Sequence, residues 1–127
     1  MAQIELEHID RIFKLGDSEV HALRDITLRI EPGEYVAVMG PSGSGKSTLL
    51  NLLGLHDRPD AGHYRLEGRD VTTLSADEQA AVRSARIGFV FQSFHLVPRL
   101  SAAENIGLPL VLAGIPVAER AARIAQA

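Results

Sequence analysis

The sequence predicts an α/β fold in which an antiparallel β part leads into the start of a parallel core. Three observations support this prediction. Apolar and polar residues alternate in two segments before residue 31, as in half-buried strands. A glycine-rich loop follows an apolar run and precedes an apolar helical segment. A second apolar run, residues 87–91, is continuous, which is typical of a strand covered on both faces.

The antiparallel part is predicted from the pattern of the first third of the chain. Residues 4–7 and 20–30 alternate like strands, with a turn at residues 16–18. Pro32 and Gly33 form a tight turn into a further strand at residues 35–39. These segments together predict a β-meander that leads into the glycine-rich loop.

The next elements follow from local signals. Residues 47–53 are apolar on nearly every side, which predicts a fully buried helix. A short strand at residues 63–66 ends before a turn at Gly68, and residues 87–91 form the buried strand of the parallel core.

The remaining helices are predicted from their start signals. Capping-box patterns begin at Ser75, for a helix to about residue 86, and at Ser101, for a short helix. Pro116 opens a last helix that has no stop signal up to residue 127, so the sequence is expected to break off within a helix.

Composition limits the classes of function. The 127 residues suit one domain with a modest core. A net charge of −3 gives no electrostatic argument for nucleic-acid binding, and the lack of cysteine excludes disulfides and cysteine metal sites. The charged segment at residues 4–7 argues against a signal peptide, and the apolar stretch at residues 106–115 is too short for a bilayer. A cytoplasmic location, where ATP is available, is expected.

The glycine-rich loop matches G-x-x-x-x-G-K-[ST], the phosphate-binding P-loop. Glycines allow a concave backbone whose N–H groups point at phosphate oxygens, and the following helix N-terminus adds partial positive charge. Lys46 is expected to reach the β- and γ-phosphates, and the Ser47 hydroxyl to bind Mg²⁺. A chance turn is the alternative, and both flanks argue against it. The candidate residues for ATP and Mg²⁺ are Gly40, Ser42, Gly43, Ser44, Gly45, Lys46, Ser47 and Thr48.

Hydrolysis needs more than a P-loop. An acidic residue after a second buried strand must hold Mg²⁺, and another group must orient water. The last aspartate is Asp77, and the acids beyond residue 92, Glu104 and Glu119, do not follow a strand-like run. We therefore expect this chain alone to bind ATP weakly and not to hydrolyse it.

Three blocks of sequence resemble the ATP-binding subunit of ABC transporters. They are residues 22–26 with 31–34 before the P-loop, residues 87–92, which are similar to the family's Q-loop, and residues 95–106. The sequences of these three blocks are most similar to those of the branch that serves lipoprotein release and macrolide or peptide export. The resemblance covers the whole chain and identifies residues 1–127 as a partial ABC ATP-binding domain, without the signature and Walker B regions.

The resemblance implies two further site residues. Phe13 lies where the family has an aromatic residue stacked on adenine, and Gln92 would lie near Mg²⁺ and the attacking water and report the nucleotide state. The alternatives are that Phe13 is a core residue of the β-meander and that Gln92 is an ordinary polar residue after a strand. The family's signature sequence, acidic pair and switch histidine are not found in these residues.

The resemblance also implies partners. A membrane permease subunit and a second ATP-binding subunit, as a homodimer, would place the intact protein on the cytoplasmic side of the inner membrane. Whether this chain is an enzyme stays open, because the family is an ATPase coupled to transport and the catalytic half is missing here. One alternative is another P-loop enzyme, such as a GTPase or small-molecule kinase, although Asn-Lys-x-Asp and Asp-x-x-Gly are absent. Another is a non-catalytic fragment that docks on a permease through residues 93–106.

Overall fold

The computed structural model describes all 127 residues, which form two compact units, Met1–Phe89 and Val90–Ala127. The first unit contains a four-stranded sheet and two helices, and the second contains two helices. The strands are β1 (Ile4–Leu15), β2 (Ser18–Ile30), β3 (Ala61–Leu66) and β4 (Arg69–Asp70). The helices are α1 (Lys46–Leu53), α2 (Ala76–Arg86), α3 (Ala102–Leu112) and α4 (Val117–Gln126).

The sheet is antiparallel throughout, in the order β2-β1-β3-β4. β1 and β2 form a long hairpin in which Ile4 pairs with Ile30 and Leu15 with Ser18. The tight turn needs a left-handed residue, and Gly16 supplies it with φ 61°. The predicted antiparallel part is confirmed, although its strands are longer than the sequence pattern indicated.

The core of the first unit lies between the sheet, α1 and the segment that follows β4. Among its most deeply buried side chains are Leu6, Ile9, Leu52 and Tyr64. The prediction that α1 is fully buried is wrong, since Leu50 is 48% exposed. Leu52 lies fully buried in the core, whereas Ser47, Leu50 and Asn51 on the outer side of the helix are exposed.

The strands predicted at residues 35–39, the last of the β-meander, and at residues 87–91, in the parallel core, are not formed. Residues 35–39 and 87–91 belong to no sheet, and Tyr35 is fully exposed. A strand needs a neighbouring strand for its N–H and C=O groups, and neither run is part of the β2-β1-β3-β4 sheet. The ring of Phe89 instead meets the ring of His56 edge-on, with centroids 4.9 Å apart. The sequence pattern identified apolar segments correctly but not their conformation.

The predicted helix starts are present. Ser75 Oγ accepts a hydrogen bond from the Glu78 N–H at 3.2 Å and begins α2. Ser101 and Glu104 form both arms of a capping box that begins α3. No helix of this chain combines the length and the apolarity that crossing a bilayer would require.

The second unit is organised by one polar and one apolar contact. The Asn105 amide donates to the carbonyl oxygens of Leu100 and Ser101 at 3.2 and 2.9 Å and accepts from the Val97 N–H at 2.8 Å. It thereby closes the turn before α3. On the same helix, a Cβ on Gly107 would lie 2.8 Å from the Cδ1 of Ile124, so the glycine allows α3 and α4 to pack closely.

Candidate functional site

A cleft of about 550 Å³ lies between the P-loop and the half of the β1–β2 hairpin that is next to its turn. It brings Phe13 together with most of the residues predicted from the P-loop motif. Gly40 and Ser44 are the predicted residues of this unit that do not line it. The lining residues are Phe13, Val20, His21, Ala22, Ser42, Gly43, Gly45, Lys46, Ser47 and Thr48.

The backbone of the loop depends on two glycines. Gly43 and Gly45 have φ values of 83° and 92°, in the left-handed region that other residues rarely adopt. A Cβ on Gly45 would lie only 2.5 Å from the Ala22 carbonyl oxygen. The loop therefore rests directly on strand β2, and the glycine is required there for space as well as for conformation.

The start of helix α1 forms the floor of the cleft. Its N-cap is Gly45, no side chain caps it, and its first turn contains no acidic residue. The first N–H groups of a helix lack partners within the helix and carry partial positive charge. Because Lys46, Ser47 and Thr48 line the cleft, this end of the helix suits an anion.

Lys46 is held by the loop itself. Its Nζ donates hydrogen bonds to the carbonyl oxygens of Gly40 and of Pro41, the latter at 2.7 Å. Ser44 Oγ also donates to the Pro41 carbonyl oxygen at 2.7 Å. Gly40 and Ser44 thus shape the loop from outside the cleft, and a Cβ on Gly40 would lie 2.7 Å from Ser44 Oγ.

Ser42, Ser47 and Thr48 supply the hydroxyl groups of the cleft. No group of three or more histidine, aspartate or glutamate side chains that could hold a metal ion occurs in this chain. A hydroxyl is a suitable Mg²⁺ ligand, but a single protein hydroxyl leaves most of the octahedral positions to other oxygens. Ser47 therefore fits Mg²⁺ that is carried by phosphate oxygens and water, not a metal bound by protein alone.

The other end of the cleft is aromatic. Phe13 on β1 pairs with Val20 on β2, and both line the wall together with His21. The His21 Nε2 lies 2.9 Å from Asp10 Oδ1, which also accepts the Asp25 N–H at 3.0 Å. The pKa of Asp10 lies below its ordinary value, chiefly because of the hydrogen bond from the Asp25 N–H and secondly because of the contact with His21.

The motif did not indicate the lining residues Val20, His21 and Ala22, which come from β2. The register of the hairpin was the signal that could have found them, since Val20 stands opposite Phe13. Gln92 lies in the second unit, in an irregular segment, and is exposed. Its role near Mg²⁺ and water stays a prediction.

The sequence matches known proteins along most of its length. The profile of the family described as ABC transporter matches residues 23–127. The macrolide export ATP-binding/permease protein MacB of Syntrophobacter fumaroxidans is 51% identical over 123 residues, 97% of this chain and 17% of the relative. The pyoverdine export ATP-binding/permease protein PvdT of Pseudomonas fluorescens is 53% identical over 123 residues, 96% of this chain and 19% of the relative. The chain spans less than a fifth of these relatives.

Solved structures show the same fold. A dimeric structure of the ATP-binding cassette MJ0796 in a post-hydrolysis state, bound to ADP and Pi, has a TM-score of 0.87 and 39% identity. The match covers 97% of this chain and 54% of the cassette. Another dimeric structure of MJ0796, described as a bacterial ABC transporter cassette, has a TM-score of 0.83 and 41% identity. These likenesses confirm the fold class predicted from the sequence.

Proposed function

Because this chain belongs to the ABC transporter family, we propose that it provides the ATP–Mg²⁺ binding part of an export ATPase that works with a membrane permease. One observation carries the proposal. The P-loop and Phe13, which are separated in sequence, line a single cleft that has a cationic, amide-rich end and an aromatic end. A nucleoside triphosphate complements both ends, because its phosphates are anionic and its base is aromatic.

The proposed roles follow from the geometry. The backbone from Ser42 to Thr48 and the start of α1 would bind the phosphates. Lys46 would exchange one of its loop carbonyl contacts for a phosphate oxygen, which is the better acceptor because it is charged. Ser47 would hold Mg²⁺ together with phosphate oxygens, and Phe13 would stack on the base.

The partners are proposed from the relatives. Their names describe an ATP-binding part and a permease in one protein, and MJ0796 is described as a dimer. We propose a permease partner and a second copy of the ATP-binding domain, at the cytoplasmic face of the inner membrane. Relatives named for macrolide export and for pyoverdine export have similar sequence identity to this chain. We therefore propose that residues outside this chain select the transported compound.

Hydrolysis is proposed to require more than these residues. The cleft contains Ser47 but no carboxylate, and no acidic metal cluster occurs in the chain. Orientation of water and the clamp on Mg²⁺ provide most of the catalysis in phosphoryl transfer. The chain would therefore bind ATP–Mg²⁺ weakly without turning it over, and Gln92 would act only when the rest of a cassette is present.

Calorimetric titration with ATP–Mg²⁺ tests the binding proposal. Lys46→Ala should remove the binding, because Lys46 is the only lysine or arginine that lines the cleft. Lys14→Ala is the matched control, since Lys14 is the only other lysine, is exposed and does not line the cleft. Equal affinity of the Lys46→Ala and Lys14→Ala variants would reject the P-loop assignment.

A second candidate function is docking on a permease without catalysis. The irregular segment after Gln92 favours it, because Phe94 and Leu96 are 88% and 64% exposed. Retention of the chain by a cognate permease in the absence of nucleotide, lost in Phe94→Ser, would support this function. Retention that depends on ATP and on Lys46 would support the first.

A further inference from the structure

The guanidinium of Arg11 lies over the ring of Phe13, with its Cζ 4.3 Å from the ring centroid. Phe13 lines the cleft and Arg11 does not, so the cation covers the ring from outside the cleft wall. We propose that Arg11 is a positioning residue that fixes Phe13 as the surface on which a nucleotide base stacks. The inference rests on the proposed function and adds a residue that determines affinity for the base.

Arg11 can act in this way because its own position is fixed. Its Nε donates to Asp57 Oδ2 at 2.7 Å, and one terminal nitrogen donates to Asp60 Oδ2 at 3.1 Å. The Arg11 side chain is only 21% exposed. Two carboxylates on a planar guanidinium restrict its rotation far more than a single exposed ion pair does.

The segment from Asp57 to Asp60 also holds the backbone next to Phe13. Asp60 Oδ2 accepts the Ile12 N–H at 2.6 Å, and the Asp60 N–H donates to the Asp10 carbonyl oxygen at 2.8 Å. The segment from Asp57 to Asp60 is thereby attached to β1 at the residue before Phe13. The register of β1 and β2 is irregular between Arg11 and Ile12, where such an attachment is most needed.

Fixing the ring matters because stacking is a weak, directional interaction. Phe13 pairs with Val20 near the turn of the hairpin, and Val20 is 46% exposed. A ring that rotates freely loses entropy when a base binds, whereas a ring already held does not. The positive charge of the guanidinium also offsets the negative charge on the face of the Phe13 ring. This reduces the repulsion between the ring and the face of a stacked base.

The test compares ATP–Mg²⁺ with tripolyphosphate–Mg²⁺, a probe that has the phosphates and no base. Titrations would use the chain in its original form and as Arg11→Met, Phe13→Ala and the double variant. Arg11→Met should weaken ATP about 3- to 10-fold and leave tripolyphosphate unchanged. In the Phe13→Ala background, Arg11→Met should have no further effect on ATP, because the arginine acts through the ring.

Arg29→Met is the control, since Arg29 also pairs with two carboxylates, Glu5 and Glu31, but does not line the cleft or contact Phe13. It should change neither affinity. If Arg11→Met does not fold, Arg11→Lys keeps the charge but loses the planar contact, and should weaken ATP at least about 2-fold relative to tripolyphosphate.

Equal weakening of both probes by the Arg11 variants, or an unchanged ratio of the two affinities, would overturn the inference and leave Arg11 a structural residue only. A full additional loss in the double variant would overturn it as well. Failure of Lys46→Ala to weaken tripolyphosphate would instead reject the proposed function, so the two failures are distinguishable.

Discussion

The hydroxyl of Tyr64 on β3 donates a hydrogen bond to the backbone carbonyl oxygen of Leu53, the last residue of α1, at 2.8 Å. Tyr64 is 2% exposed and belongs to the core. The last carbonyl groups of a helix lack partners within it, so this contact satisfies one of them inside the protein. It also joins the sheet to the helix whose other end lines the cleft with Lys46, Ser47 and Thr48.

Tyr64→Phe should lower the free energy of unfolding by about 1 kcal/mol, because it leaves the Leu53 carbonyl without its donor while keeping the ring. Urea denaturation followed by circular dichroism measures the change. Tyr35→Phe is the control, since Tyr35 is fully exposed and should give no change. Equal stability of the two variants would show that the hydrogen bond contributes nothing.

Tyr64 should also make stability depend on alkaline pH. Burial raises the pKa of Tyr64 to about 12, above that of an unfolded tyrosine at about 10. The contribution of the protonated phenol is complete below the unfolded pKa and is lost as pH rises from there toward the folded value. Unfolding measured at intervals over this window should show stability falling with pH, less steeply in Tyr64→Phe. Identical slopes in both proteins would contradict the buried phenol.

Gly45→Ala should disrupt the glycine-rich loop far more than Gly43→Ala does. Both residues have positive φ, so either alanine is strained by roughly 1–2 kcal/mol. At Gly45 the new Cβ would also meet the Ala22 carbonyl oxygen at 2.5 Å, whereas at Gly43 nothing lies within 4 Å. The Gly45 variant should lose tripolyphosphate affinity and the Gly43 variant should keep most of it. Similar affinities in the two would mean that the loop does not rest on β2.

The isolated chain should release no phosphate from ATP above the blank rate. The side-chain oxygens that line the cleft are the hydroxyls of Ser42, Ser47 and Thr48, so the cleft contains no carboxylate. A coupled phosphate assay on purified protein makes the measurement, with Lys46→Ala as the control for contaminating enzymes. Steady release that Lys46→Ala abolishes would reveal a catalytic acid within these residues.

Hydrogen exchange should divide the chain by region. Protection should be highest in β1 and β3, whose N–H groups are paired across a sheet over buried residues such as Leu6 and Ile9. Protection should be low from Ile87 onward, where residues 87–91 form no sheet and Val90 is 97% exposed. Strong and uniform protection through Ala127 in a monomer would show that these residues complete their own core.

The features that the sequence predicted correctly are those that neighbouring residues determine. The turn at residues 16–18, the start of α1 and the Ser101 cap depend on residues a few positions apart. The strand predicted at residues 87–91 failed because pairing requires a second segment, which no local pattern supplies. The position of Arg11 over Phe13 was equally inaccessible, because it depends on Asp57 and Asp60, which reach β1 only through the tertiary fold.

The order of the elements has a consequence for synthesis on the ribosome. Every residue that lines the cleft lies between Phe13 and Thr48, and the sheet that supports it is complete at Asp70. A chain emerges from its N-terminus, so the glycine-rich loop and its sheet leave the exit tunnel before α2 does. Under the proposed function, ATP would meet a nascent chain that already has its glycine-rich loop, and a bound nucleotide would favour the folded hairpin while translation continues.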